Sequence, residues 1–189
     1  MIKNKLRSIY REKRKAISLA DKEKWDDLLL IQFQQFDFTN IQTILSYWPL
    51  ERVNEPNTHL FSRYLQYMLP TFKLCYPVCD FSTNDMKALL VDEQTDYQLN
   101  SLGIVEPIEG EKTNATSIDL VFVPLLICDR QGNRIGFGKG YYDKFLQLCN
   151  EKVVKIGFSY FEPVDIIEDT APFDVPLNFC ITPHRIYEF

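Results

Sequence analysis

A glycine-rich segment at residues 134–143, RIGFGKGYYD, constrains the fold of this chain more than any other feature. It holds three of the seven glycines, Gly136, Gly138 and Gly140, directly before a helical pattern. Glycine lets backbone N–H groups turn toward an anion and approach it closely, and a helix N-terminus adds partial positive charge. The segment therefore predicts a phosphate-binding loop between a strand and a helix. An ordinary glycine-rich turn at that junction is the alternative that the local pattern leaves open.

The polar residues of this segment suit a polyphosphate. Arg134 and Lys139 can donate hydrogen bonds to phosphate oxygens, and Asp143 offers the hard oxygen ligand that Mg²⁺ prefers beside nucleotide phosphates. The glycine spacing is neither that of a P-loop nor that of a dinucleotide-binding fingerprint. The residues therefore indicate a nucleotide site of another type. A solvated acid in the first helical turn is the plainer interpretation of Asp143.

Composition is typical of a compact cytoplasmic protein. The 189 residues suit one domain, and an apolar content of 46% is enough for a continuous core. No run approaches the roughly 18 apolar residues of a transmembrane helix, and the basic N-terminus lacks the apolar stretch of a secretory signal. The five cysteines form neither an even disulfide framework nor a zinc-finger spacing, which favours free, buried thiols. We expect a soluble cytoplasmic protein with a single domain over residues 1–189.

A helix with two faces is predicted at residues 2–16. Its basic face consists of Lys3, Arg7, Arg11 and Arg14, which recur at three- and four-residue intervals. This basic face is either solvated, as most charged helix faces are, or it lies against the glycine-rich loop and binds a polyphosphate. The net charge of −5 argues against general nucleic-acid binding.

Helical and extended patterns alternate along the rest of the chain. Further helices are predicted from Ser18, where Asp21 completes a capping box, and at residues 58–68 and 141–149. Strands are predicted at residues 41–48, 72–76, 87–91, 120–123, 153–159 and 179–182, and residues 101–116 form a long connection. The alternation predicts a three-layer α/β/α sandwich with a largely parallel central sheet. In such a fold, ligands bind beyond the carboxyl ends of the strands.

Residues 119–124 (DLVFVP), residues 128–134 (CDRQGNR) and the glycine-rich loop together resemble one family. It is the 5-formyltetrahydrofolate cyclo-ligase family, also called 5,10-methenyltetrahydrofolate synthetase. Shorter motifs with the same resemblance are KNKLR at 3–7, SYWPL at 46–50, EPNT at 55–58, LGIVEP at 102–107 and FDVPL at 173–177.

The resemblance implies an ATP- and Mg²⁺-dependent enzyme that converts 5-formyltetrahydrofolate to 5,10-methenyltetrahydrofolate and releases ADP and phosphate. In the family, the γ-phosphoryl group moves to the formyl oxygen, N10 attacks the resulting iminium carbon, and phosphate departs. Such a site must position its substrates and neutralise charge more than supply a nucleophile. The scarcity of histidine, with two residues in the chain, agrees with this chemistry.

The resemblance also implies roles for individual residues. Catalytic roles fall to Arg134, Lys139 and Tyr142. ATP contacts fall to Lys3, Asn4, Lys5, Leu6, Arg7, Arg134, Ile135, Gly136, Phe137, Gly138, Lys139, Gly140, Tyr141 and Tyr142. Folate contacts fall to Leu50, Glu55, Phe137, Gly138, Lys139, Gly140 and Tyr141. Magnesium contacts fall to Asp143 and Asp174.

Two other classes of function stay open at this stage. One is a different ATP-dependent small-molecule ligase or kinase on the same scaffold. The other is an RNA-binding protein that uses the basic N-terminal helix, although the sequence pI near 5.1 disfavours it. We expect a monomer that binds small molecules and has neither nucleic-acid nor membrane partners.

Overall fold

The four helices follow the predicted order in a computed structural model that describes residues 1–189. They are α1 (Lys3–Lys15), α2 (Leu19–Phe33), α3 (Thr58–Met68) and α4 (Tyr141–Leu146), with short 3₁₀ turns at Glu51–Val53 and Ala115–Ser117. The hydroxyl of Ser18 accepts a hydrogen bond from the backbone N–H of Asp21 at 3.1 Å, so the predicted cap of α2 is confirmed. None of the helices combines the length and the apolar character that a membrane span requires.

Twelve short strands make up the rest of the regular structure. They are β1 (Thr43–Leu45), β2 (Lys73–Asp80), β3 (Asp85–Val91), β4 (Tyr97–Leu99), β5 (Val105–Pro107), β6 (Lys112–Thr113), β7 (Leu120–Phe122), β8 (Ile127–Cys128), β9 (Arg134–Ile135), β10 (Val154–Phe158), β11 (Phe179–Ile181) and β12 (Ile186–Glu188). Eight of them form one sheet in the order β12-β11-β10-β7-β1-β2-β3-β6. The five central neighbours from β11 to β2 pair in parallel, and the edge strands pair antiparallel.

Apolar side chains cover the central sheet on both faces. Leu120 and Phe122 of β7 share a buried cluster with Phe33 of α2. Val121, between them, belongs to a second cluster with Phe145 of α4. Because neighbouring side chains of a strand point to opposite faces, β7 has to be apolar throughout. The predicted three-layer α/β/α fold with a largely parallel sheet is confirmed.

The predicted long connection at residues 101–116 was wrong in part. It contains β5, which forms a hairpin with β4, and β6, which extends the edge of the main sheet through pairing with β3. The strand β12 was also missed. These strands have two or three residues each and form by backbone pairing. They are too short for an alternation of polar and apolar side chains to indicate them in the sequence. The predicted helix at residues 141–149 ends early, at Leu146.

Candidate active site

A cavity of about 370 Å³ opens where the strands β1, β2 and β7 end. Tyr47 and Trp48 follow β1, Cys79 lies near the end of β2, and Pro124 follows β7; all four line the cavity. This is the carboxyl edge of the parallel strands, where the topology predicts that ligands bind. About half of the lining residues are hydrophobic, and the others include charged side chains of both signs.

The glycine-rich loop forms one wall of this cavity. Gly138 and Gly140 have φ angles of 90° and 76°, in the left-handed region that other residues rarely adopt. A Cβ atom at Gly138 would also lie 3.2 Å from the Nη2 atom of Arg7. Gly140 immediately precedes α4, which has only six residues. The positive charge near the loop therefore comes mainly from side chains, and the glycines allow the loop to approach them.

The basic face of α1 lies against this loop, as one of the two interpretations of the sequence predicted. The Nε atom of Arg7 donates to the carbonyl oxygen of Gly136 at 3.1 Å. The guanidinium groups of Arg11 and Arg14 lie 5.8 and 5.7 Å from the centre of the Phe137 ring, within the range of cation–π attraction. The two segments that the sequence singled out are therefore one structural unit.

A second, shallower depression runs along α1 on the other side of Phe137. We call it the cationic groove, and its lining residues are Asn4, Arg7, Ser8, Arg11, Glu12, Lys15 and Phe137. Phe137 and Arg11 also line the apolar cavity. The two compartments are therefore adjacent, and both border on Phe137 and Arg11.

Residues 171–177 are joined to the loop region by hydrogen bonds with Val175 and to α1 by an ion pair. The Nη2 atom of Arg134 lies 2.9 Å from Oδ1 of Asp143, and that oxygen also accepts from the backbone N–H of Val175 at 3.0 Å. Lys3 forms an ion pair with Asp174. Burial lowers the pKa of Arg134, and the neighbouring Asp143 opposes this effect. The structure contains no cluster of three or more His, Cys, Asp and Glu side chains arranged to hold a metal ion.

Glu55 and Tyr142, which line the cavity, each have a buried polar atom with no hydrogen-bond partner. One carboxylate oxygen of Glu55 accepts from the backbone N–H of Leu50 at 2.8 Å, while its Oε1 atom accepts none. The hydroxyl of Tyr142 is also buried and unpartnered. Burial raises the pKa of both side chains. Buried polar atoms without partners are costly, so these two favour a polar ligand in the cavity.

Glu106 is a second buried carboxylate in the cavity, and no role was predicted for it. Its side chain is buried, and its Oε1 atom accepts from the backbone N–H of Cys79 at 3.0 Å. The free thiol of Cys79 has a pKa raised to about 12, first by burial and then by the carboxylate of Glu106. The motif at residues 102–107 contains Glu106, so the resemblance was the signal that could have indicated it.

The remaining predicted site residues separate into two groups. Leu50, Lys139, Gly140 and Tyr141 line the cavity, and Lys139 is exposed, without the ion pair that Lys3 and Arg134 each form. Leu6 and Ile135 belong instead to a buried cluster behind the loop, and Lys5 is exposed and lines neither compartment. The predicted roles in ligand binding stay predictions.

Comparisons with known proteins address the family of the chain. The model of the 5-formyltetrahydrofolate cyclo-ligase family matches residues 2–183. A 5-formyltetrahydrofolate cyclo-ligase of Mycoplasma pneumoniae is 29% identical over 185 residues, covering 96% of this chain and 98% of that protein. The cyclo-ligase of Mycoplasma genitalium is 39% identical over 72 residues, a match that spans 38% of this chain and 44% of the relative.

A solved structure agrees with this assignment. The NMR structure of Aquifex aeolicus 5,10-methenyltetrahydrofolate synthetase superposes with a TM-score of 0.82 at 26% sequence identity. The superposition covers 100% of this chain and 93% of that one. On the strength of the family match over nearly its whole length, the chain belongs to the 5-formyltetrahydrofolate cyclo-ligase family.

Proposed function

We propose that this chain is an enzyme that converts 5-formyltetrahydrofolate to 5,10-methenyltetrahydrofolate and consumes ATP, releasing ADP and phosphate. The observation that carries the proposal is the pairing of an apolar cavity, which has buried carboxylates, with a cationic groove across the glycine-rich loop. The cavity suits a flat heterocycle and the groove suits a polyphosphate. Family membership and the names of the relatives support the same reaction.

The folate would occupy the apolar cavity. A reduced pterin presents several N–H donors, and the free Oε1 atom of Glu55 and the carboxylate of Glu106 are acceptors in a desolvated environment. Leu50 and Tyr141 supply apolar surface for the ring system. A pocket of the same size without acceptors would leave those N–H donors without partners, so the two carboxylates favour a donor-rich ring.

ATP would lie along the cationic groove with its phosphates at the glycine-rich loop. Arg7 and Arg11 line the groove, and Lys139 projects from the loop at the cavity wall. This arrangement would direct the γ-phosphate toward the compartment that holds the folate. Arg134 is held by Asp143 and by the carbonyl of Val175, so its charge stays close to the loop in a fixed orientation.

The reaction would proceed by transfer of the γ-phosphoryl group to the formyl oxygen of the folate. N10 then attacks the activated formyl carbon and loses its proton, and the C–O bond breaks so that phosphate carries the formyl oxygen away. Lys139 and Arg134 would stabilise the charge on the transferring group, and the unpartnered hydroxyl of Tyr142 can donate a hydrogen bond to it. Walls that exclude water would prevent simple hydrolysis of ATP.

Mg²⁺ fits this site only together with the phosphates. Asp143 and Asp174 supply carboxylate oxygens, but each already forms an ion pair with a cation, and no third acidic or histidine ligand joins them. Mg²⁺ is commonly bound by one or two carboxylates plus substrate phosphates and waters, and here it would neutralise phosphate charge. A monomeric state and a cytoplasmic location stay predictions.

An omission assay tests the proposal. Purified protein is mixed with 5-formyltetrahydrofolate, ATP and Mg²⁺, and each component is left out in turn. We expect the ultraviolet absorbance of the methenyl product to rise only with all components present, with one ADP formed per product. Formation of ADP without methenyl product would contradict the proposal and favour a ligase or kinase for another substrate.

A further inference from the structure

Arg14 behaves unlike the other members of the basic face of α1. Its side chain is 3% exposed, although it lies on the most basic helix of the protein. Its Nε atom donates to the carbonyl oxygen of Val53 at 2.8 Å, and its Nη1 atom donates to the carbonyl oxygen of Leu125 at 3.0 Å. The sequence left open whether the basic face is solvated or lies against the glycine-rich loop, and for Arg14 the solvated interpretation was wrong.

The third nitrogen of this guanidinium faces the free oxygen of Glu55. Nη2 of Arg14 lies 3.7 Å from Oε1 of Glu55, and neither atom has a hydrogen-bond partner. The other oxygen of Glu55 is held by the backbone N–H of Leu50. Glu55 is 2% exposed, so the pair is almost completely desolvated. Its separation exceeds hydrogen-bond length, which leaves Oε1 able to accept from a ligand.

A further contact fixes the loop that carries Glu55 to the same helix. The Nδ2 atom of Asn54 donates to the carbonyl oxygens of Arg14 and Ile17 at 3.0 and 3.1 Å. Asn54 itself has a left-handed backbone with φ of 51°, a conformation that asparagine tolerates better than most residues. The position of Glu55 relative to the cavity is therefore set from α1.

We propose that Arg14 is a positioning residue for the folate: its guanidinium orients Oε1 of Glu55 and maintains it as a hydrogen-bond acceptor for the N–H edge of the pterin. The inference rests on the proposed function, because it assigns Glu55 to folate binding. It explains why a buried cation donates to two carbonyls and still directs its last nitrogen toward a carboxylate. A buried ion pair adds little net stability, since desolvation offsets attraction, so stability alone is a poor reason for the arrangement.

A double-mutant cycle tests this role. The dissociation constant of 5-formyltetrahydrofolate, measured by calorimetry without ATP, and the KM for ATP are determined for wild type, Arg14→Met, Glu55→Gln and the double variant. We expect each single change to weaken folate binding about tenfold or more, because each removes one partner of a buried charged pair. The double variant should bind within about twofold of Glu55→Gln, since the Arg14 effect acts through Glu55.

The pH dependence of folate binding separates positioning from a merely structural role. The charged and titratable groups that face Glu55 are Arg14 from α1, Arg52 from the 3₁₀ turn, Tyr47 after β1, and Tyr142 from α4. Burial raises the pKa of Glu55, and Arg14 is the largest influence that lowers it. Without Arg14 the carboxylate gains a proton at higher pH, so Arg14→Met should lose folate binding at a higher pH than wild type as the solution is acidified.

Two variants complete the experiment. Arg63→Met, on the exposed side of α3, is the matched control and should bind folate like wild type. Arg14→Lys keeps the charge and allows the cycle to be repeated if Arg14→Met does not fold. The inference would be overturned if the effects of the two single substitutions on folate binding multiplied in the double variant. It would also be overturned if the KM for ATP rose as much as the dissociation constant of the folate. A wild-type protein that does not bind 5-formyltetrahydrofolate would instead refute the proposed function.

Discussion

The apolar cavity and the cationic groove are adjacent, but they differ in how far their charged groups are buried. The cavity has two almost completely buried carboxylates, Glu55 and Glu106, and one buried polar atom each of Glu55 and Tyr142 lacks a partner. The groove presents its charges at the surface, and Lys15 there pairs with Glu12 in an exposed ion pair. A small number of desolvated polar groups can give selectivity, because each one that a ligand leaves unpaired costs binding free energy. Exposed charges instead attract a polyanion collectively. Single substitutions should therefore act strongly in the cavity and weakly in the groove.

Lys139, on the loop between the two compartments, should give the largest effect. Lys139→Ala is expected to lower turnover by at least about a hundredfold, because it removes the positive charge that would stabilise the transferring phosphoryl group. Turnover is measured as the initial rate of formation of the methenyl product at saturating concentrations of both substrates. Lys152→Ala, which changes an exposed lysine remote from the site, serves as the control. Near wild-type turnover in Lys139→Ala would remove this residue from the mechanism.

Glu106 tests whether the cavity uses a second carboxylate. Glu106→Gln should raise the KM for the folate about tenfold, because one oxygen that faces N–H donors becomes a donor itself. The KM for ATP should stay within about twofold of wild type, because both the change and the lost contact lie in the cavity. Steady-state kinetics with Glu111→Gln, an exposed position, as the control would measure both constants. An unchanged folate KM would mean that Glu106 does not bind the folate and only accepts a hydrogen bond from the backbone of Cys79.

Arg7 gives the corresponding test in the groove. Arg7→Met should raise the KM for ATP about fivefold, since one of several positive charges of the groove is lost and Gly136 loses a hydrogen bond. The folate KM should hardly change. This substitution is cleaner than removal of the first eight residues, because Leu6 is fully buried and its loss would open the core. A larger change in the folate KM than in the ATP KM would contradict the division into two compartments.

A change of ionic strength should give the smallest difference between the effects on the KM for ATP and on the KM for the folate. Raising the salt concentration from about 0.05 M to about 0.5 M is expected to increase the KM for ATP roughly two- to fivefold, because exposed charges are screened. Buried groups are screened much less, so the folate KM should change less. Equal salt dependence of the two constants would indicate that exposed charge governs folate binding as well.

The sequence predicted the parallel middle of the sheet better than its edges. The apolar run at residues 120–123 is typical of a strand covered on both faces, whereas β4, β5 and β6 are too short to carry a pattern. The glycine-rich loop was also visible in the sequence, although the left-handed backbone of Gly138 and Gly140 was not predicted. The burial of Arg14 was not, because helical spacing places it on the basic face and only tertiary packing turns it inward.

The path of the formyl oxygen tests most directly whether the groove delivers phosphate to the folate in the cavity. The enzyme is supplied with 5-formyltetrahydrofolate that carries ¹⁸O in the formyl group, and the inorganic phosphate released is analysed by mass spectrometry. The proposed reaction predicts that each phosphate formed contains the labelled oxygen, because the formyl oxygen leaves as part of phosphate. Methenyl product formed together with unlabelled phosphate would mean that ATP is cleaved by water, and would contradict direct transfer between the two compartments.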